Sequence, residues 1–460
     1  MGSLRHLDAL GTGGAFRTSL RHPVTGVDGS VLAELSLVPR LYITRNLLAL
    51  RRATPLTALR RAEALRTAGE LFLGEVDAVT LDDHERAVSR ASGVALPVVR
   101  AASGVLSRSA KAAAATVAAA RPAGVVADWR DEALTGAVWT RRGCVLAVLA
   151  PGNHPATHTV WLEALVMGYR VAVRPSNREP FTAHRLVSAL RTAGFGSDHV
   201  VLLPTEHARA DALVQAADLS LVYGGDDVVR RYAGRPDVYV QGPGRSKVLL
   251  ADGFPERHLE TVVESVAGYG GTACVNASAV FVDGDTASVA RRLADALAAI
   301  PMRAPDENDA VLPAHDIGRA RALEAHLRAN LAGGELLSQG SLVHRLPGGE
   351  AVLRPAVILL NRSDAPQTSI ELPFPCVWVA PWSREDGIRP LRNTLTLTAF
   401  VQDEALVSDL VDEASISNVH IGDHPTHVMA PDLPHDGFLA EFLMRAKTVL
   451  LPHSDDHEQE

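Results

Sequence analysis

The chain of 460 residues holds only three cysteines, and none of them form a C-x-x-C pair. That excludes a disulfide framework and a cysteine zinc site, and it fits a reducing compartment. Aromatic residues are scarce at 5%. No stretch approaches the roughly 20 consecutive apolar residues that a membrane span requires. The first residues, MGSLRHLDALG, lack an apolar run of signal-peptide length. Positive charge is also wanting: 45 Lys and Arg stand against 53 Asp and Glu, a net charge of -8. Such a chain has no strong phosphate-attracting field, which argues against nucleic acid as a partner. The 18 histidines form no H-E-x-x-H pattern. His154 and His158 share a spacing of four, but no third ligand stands nearby, so no metal is expected. These absences predict a soluble, cytoplasmic protein without membrane or nucleic-acid partners.

What is present is length and apolar content, 47% of the chain, enough for two or three cores. Residues 55–120 read as helical throughout, with the Ala-rich stretch 109–120 as an exposed or lightly packed helix. WRDEALTGAVWTRRG (129–143) alternates and reads as a β-hairpin or ribbon. From 144 onward, apolar strands alternate with helices: strands at 144–150, 170–174, 199–203 and 219–223, helices at 157–167, 180–193 and 209–217. This order implies βαβ units on a parallel sheet. A second α/β series starts near 241, with strands at 246–252, 277–283, 356–360 and 376–382. No internal repeat is found. GTGGAF (11–16) lacks the strand-before, helix-after context of a dinucleotide fingerprint and reads as a flexible loop. The tail HSDDHEQE is polar and reads as frayed.

One stretch is more specific. VLAVLAPGNHPATHTVWLEALVMGYRVAVRPSNREPF (145–181) joins a strand, a P-x-N-x-P turn, a helix and a strand ending in Arg-Pro-Ser. SLVYGGDDVVRRYA, GYGGTACVNASAV, ELPFPCVWV and the pair LTAFVQDE and SISNVHIG follow in order. The series resembles the aldehyde dehydrogenase superfamily over roughly residues 30–450. The resemblance implies an α/β fold with a Rossmann-like parallel-sheet cofactor domain (1–125 and 143–240), an α/β catalytic domain (241–445) and a small oligomerisation ribbon and tail (126–142 and 446–460). It also implies a homodimer or homotetramer.

A small buried thiol is the ordinary state of a cysteine, and Cys144 and Cys376 are read that way. Cys274 sits instead in a Gly-rich turn before a strand, where a thiolate can attack a carbonyl carbon. The resemblance makes Cys274 the nucleophile and gives the oxyanion two donors, Asn153 and the Cys274 N–H. An Asx turn is the plainer reading of Asn153. The resemblance also implies a nicotinamide cofactor near Pro151, Gly152 and Ser176, with Gly224 and Gly225 beside its pyrophosphate. Arg174 corresponds to the lysine on the adenosine ribose. Asn177 stands where NAD-preferring members carry a carboxylate, which favours NADP (NADPH), with NAD as the alternative. Glu371, three residues before Phe374, corresponds to the carboxylate on the nicotinamide ribose.

Gln241, 33 residues upstream of Cys274, stands where the family has the glutamate that deprotonates hydrolytic water. An amide is no base at accessible pH. The expectation is therefore NADPH-dependent reduction of an acyl thioester, carried by CoA or an acyl-carrier protein, to an aldehyde. VQGPGRSK and the GNHP turn resemble the fatty-acyl reductase branch of the superfamily. The alternative is a hydrolytic NAD(P)-dependent aldehyde dehydrogenase that uses another base, such as Glu264. A third reading, an inactive scaffold, has an intact Cys274 and Asn153 against it. Loops 304–315 and 418–436 show no readable specificity code.

Overall fold

The structure, a computed structural model, describes residues 5–253, 256–338, 340–430 and 433–451. Two seven-stranded sheets organise the chain. In the first, the spatial order is Val238–Gln241, Leu219–Tyr223, Val145–Leu149, Arg170–Arg174, Val200–Leu202, Ala9–Gly11 and Gly14–Phe16. The first five strands are parallel. Val145–Leu149 and Arg170–Arg174 are buried along their whole length, as continuous apolar strands between two helical layers must be. The helices Ala58–Phe72, Leu96–Ala119 and Phe181–Leu190 cover one face, and Arg40–Arg52 and Asp211–Ala216 cover the other.

The chain runs outward from Val145–Leu149 to Val200–Leu202 and then returns to the other side for Leu219–Tyr223. The order therefore reverses between Val145–Leu149 and Leu219–Tyr223. In an open parallel sheet, a ligand crevice forms outside the carboxyl ends of the strands at such a reversal. The turns at that end are Pro151-Gly152-Asn153 and Gly224-Gly225.

The second sheet has the order Glu335–Leu336, Ala356–Leu359, Cys376–Pro381, Ala277–Val282, Ser246–Leu250, Thr394–Phe400 and Ile416–Ile421. All neighbours are parallel except the first pair. Helices Leu259–Ala267 and Thr286–Ala298 pack on one face. Ile317–Ala329 and Glu404–Asp412 pack on the other. This α/β arrangement is the one that the alternation of strands and helices predicts.

Several local readings are corrected. GTGGAF is not a loose loop: it closes a hairpin, Ala9–Gly11 with Gly14–Phe16, on the edge of the first sheet. The segment 129–143 is not a hairpin. Only Ala137–Arg141 is extended, and its antiparallel partner is Met444–Thr448. Asp128 and Asp131 accept from the N–H groups two residues on, which holds 128–136 in turns. The helix expected at 157–167 divides into a 3-10 turn, Pro155–Thr159, and a short helix, Leu162–Val166. The β-branched Thr157, Thr159 and Val160 disfavour a continuous helix there. The Ala-rich helix is packed on one side, burying Ala110 and Ala113. Cys144 is exposed, because it precedes the first buried residue of its strand. The tail 452–460 lies outside the described residues.

Candidate active site

The loops at the carboxyl end of the first sheet face those at the amino end of the second. Between them lies a cavity of about 980 Å³. Cys274 enters it from a turn that only certain residues can make. Helix Leu259–Ala267 is followed by three residues in left-handed conformation: Tyr269 (φ 52°), Gly270 (71°) and Gly271 (65°). A Cβ on Gly271 would stand 2.6 Å from the Pro375 nitrogen, so glycine alone lets the turn meet the 371–375 segment. A Cβ on Gly244 would stand 1.9 Å from the Cys274 carbonyl oxygen, and Ser246 Oγ donates to that oxygen at 3.0 Å. Cys274 is thus gripped from both sides, three residues before strand Ala277–Val282.

Burial pushes the Cys274 thiol up to about 12, and the Glu371 and Asp436 carboxylates push the same way. The N–H groups of Cys274 and Val275 oppose the rise. Cys274 Sγ lies 3.8 Å from His435 Nε2. Asn153 Nδ2 donates to the Thr272 carbonyl at 3.2 Å, two residues from the cysteine. Gln241 ends strand Val238–Gln241 and lines the cavity. Glu371 lines it too and accepts from the Arg245 N–H; burial raises its carboxyl above the usual range. Pro151, Gly152, Ser176, Gly224, Gly225 and Phe374 also stand on the cavity wall.

Two of the expected residues are not on that wall. Arg174 is buried, donates to the Thr205 carbonyl at 3.3 Å, and leaves its Nε without a partner among the described residues. Asn177 Oδ1 is likewise buried and unpartnered. Glu264 is not on the wall either. It is half-exposed and pairs with His427 Nε2 at 3.4 Å, which removes it as a base for the site. Cys376 is buried, and Cys274 is half-buried on the cavity wall.

The unpartnered polar atoms at 174 and 177 lie at and just past the carboxyl end of Arg170–Arg174, the strand beside Val145–Leu149. Nothing stands within 4 Å of a Cβ placed on Gly225. Gly225, with Ser176 and Glu371 on the cavity wall, offers the open backbone and polar groups that a dinucleotide needs. Among the described residues, no group of three His, Cys, Asp or Glu is arranged to hold a metal ion. No helix among them is long and apolar enough to cross a membrane.

The model of the aldehyde dehydrogenase family matches residues 112–443. The chain belongs to this family. Its curated relatives include the 2-hydroxymuconic semialdehyde dehydrogenase of Pseudomonas sp. strain CF600, 24% identical over 272 residues, 55% of each chain. The chain thus spans about half the length of that relative. Aldehyde dehydrogenase 21 from Physcomitrella patens, solved with the reaction product succinate, superposes with a TM-score of 0.83 at 16% identity, covering 99% of this chain and 100% of the other. The Bacillus cereus aldehyde dehydrogenase, solved as an NAD+ complex, gives 0.81 at 15% identity over 97% and 96%. These likenesses show an aldehyde dehydrogenase fold.

The motif reading missed three cavity residues. His435 comes from the loop without a readable code, 161 positions from Cys274. Glu163, on helix Leu162–Val166, is desolvated, with its carboxyl pushed up to about 7. Arg108, on helix Leu96–Ala119, is exposed at the wall with no ion pair among the described residues. No local pattern marks any of the three; each is drawn in by packing.

Proposed function

We propose that this aldehyde dehydrogenase family member oxidises a small aldehyde with NAD(P)+ through a thioester on Cys274. The observation that carries the reading is the opening of Cys274 and Asn153 into one cavity with the Gly224-Gly225 turn. The Cys274 sulfur attacks the aldehyde carbon, and a C–S bond forms as charge passes to the oxygen. Asn153 Nδ2 leaves the Thr272 carbonyl to donate to that oxygen, with the Cys274 N–H as second donor. Ser176, Gly224, Gly225 and Glu371 would hold a nicotinamide dinucleotide, which would supply the hydride acceptor. The lack of a carboxylate at Asn177 favours NADP over NAD. An unpaired Arg108 at the wall supports a substrate with its own carboxylate, and the Pseudomonas relative is itself a semialdehyde dehydrogenase.

A second reading rests on Gln241. Without a glutamate there, the acyl group would pass between Cys274 and another thiol, CoA or an acyl-carrier protein, and NADPH would reduce an acyl thioester to aldehyde.

The test is NAD(P)H formation with a panel of semialdehydes and matched uncharged aldehydes, with and without CoA. The expected result is acid release without thiol, a preference of about tenfold for the charged substrates (~1.4 kcal/mol), and its loss in Arg108→Ala. Cys274→Ala should abolish turnover while a fluorescence titration still detects cofactor binding. Turnover only with CoA, or only from acyl thioesters, selects the second reading. Inactivity in every arm overturns both.

A further inference from the structure

We infer that His435 is the base of this site, taking the Cys274 thiol proton and then a proton from the molecule that resolves the thioester. The inference rests on Cys274 being the nucleophile. Of the groups near the sulfur, Gln241 has no basic atom, Glu264 is turned to His427, and Glu371 is engaged by the N–H groups of Gly244 and Arg245. The imidazole in contact with Cys274 Sγ is that of His435, at 3.8 Å.

The contact is built from three directions. Asn418 Nδ2, on strand Ile416–Ile421, donates to the His435 carbonyl. Ser417 Oγ donates to the Asp436 carboxylate at 2.9 Å. The Tyr239 hydroxyl, from the first sheet, donates to the Asp436 carbonyl. His435 is therefore fixed to both sheets although it lies in a loop. Its Nδ1 is buried and unpartnered among the described residues. Burial lowers its basicity, with Asp436 opposing, so the ring is neutral at pH 7 and Nε2 is free to accept.

Among the described residues, the titratable or charged groups that line the cavity with the pair include Asp436, Glu371, Tyr223, Tyr239, Glu163 and Arg245. Both tyrosines are raised by burial and stay protonated. Arg245 is paired with Asp226 at 2.7 Å. A thiol pushed up to about 12 by burial is almost entirely protonated near neutral pH, so attack requires an acceptor for its proton.

His435 Nε2 takes the S–H proton as the C–S bond forms, and the proton is then released to solvent. Once the hydride has left, neutral His435 takes a proton from water, or from an incoming thiol, as its oxygen or sulfur bonds to the acyl carbon. When the C–S bond to Cys274 breaks, the sulfur regains a proton from the imidazolium. Aldehyde, NAD(P)+ and water give acid, NAD(P)H and one proton.

The test uses the full-length protein without cofactor: the rate of Cys274 alkylation by iodoacetamide against pH, followed by peptide mass spectrometry. In wild type, a reactive step below the ordinary imidazole value of about 6.5 is expected, far below the titration of an isolated buried thiol. In His435→Gln that step should vanish and the rate at pH 7 should fall at least tenfold. Acyl-enzyme resolution in rapid mixing should slow by about 10²-fold or more, the usual worth of a general base. Should the variant fold poorly, the wild-type profile alone decides: a single rise at high pH, with no step in the imidazole range, overturns the inference. A folded His435→Gln with the wild-type profile overturns it too. If wild type turns over no aldehyde yet shows the imidazole step and loses it in the variant, the pair stands and the aldehyde reading fails. Turnover with an unaltered variant profile does the reverse.

Discussion

Gln241 and a glutamate fill nearly the same volume and differ at this site by one basic oxygen. The residue lines the cavity on the edge strand of the first sheet, across from the turn that carries Cys274. Gln241→Glu therefore adds a second base without disturbing packing. Carboxylate release from aldehyde without thiol should rise, up to about 10²-fold where His435 has been replaced, and much less in its presence. Stopped-flow acid release in the single and double variants measures the difference. An equal rise in both backgrounds would mean that position 241 and His435 do not act on the same step. At this scale the legible residues were those fixed by their own turns: Cys274 by Gly271, Asn153 by the P-G-N turn. His435 was illegible because Asn418 and Tyr239, which hold it, are remote in sequence.

At the scale of elements, helix Phe181–Leu190 shows how a site-bearing loop is anchored. Glu179 accepts from the Thr182 N–H at 2.8 Å at the start of the helix and packs against Gly152 of the P-G-N turn. It is 3% exposed, and burial pushes its carboxyl up to about 7 from 4.5. In the unfolded chain that group ionises first, so the folded state loses stability as pH rises from about 4.5 through 7 and does not recover it above. Gln at 179 keeps the acceptor oxygen without the charge. Glu179→Gln should match wild type near pH 4.5 and exceed it by about 1–3 kcal/mol at pH 8. Urea unfolding at the two pH values checks the sign, and a variant less stable at pH 8 contradicts it. Among elements, the apolar strands were legible because burial on both faces demands continuous apolar sequence. The hairpin Ala9–Gly11 and Gly14–Phe16 was not, since its strands are three residues each and depend on a sheet edge supplied by Val200–Leu202.

For the whole molecule, the outlying feature is the ribbon of Ala137–Arg141 with Met444–Thr448. It is a separate two-stranded sheet, and four of the five residues in its second strand are exposed. A two-stranded ribbon is marginal in water by itself. We propose that it pairs with a second copy, giving a homodimer or a larger even-numbered assembly. Light scattering at micromolar concentration should find an even number of subunits, and Ala446→Asp, at an exposed position of the ribbon, should shift it toward monomer. A monomeric wild type contradicts the proposal.

The sequence by itself determined the α/β class, the alternation of apolar strands with helices, and a thiol placed in a glycine turn. Each follows from local chemistry: apolar periodicity, turn residues and the backbone freedom of glycine. Tertiary structure decided which groups share the cavity. It drew His435 to Cys274, turned Glu264 outward to His427, and kept Arg174 off the wall. Those outcomes depend on how two sheets and a late loop pack together, and no local pattern in the chain records that packing.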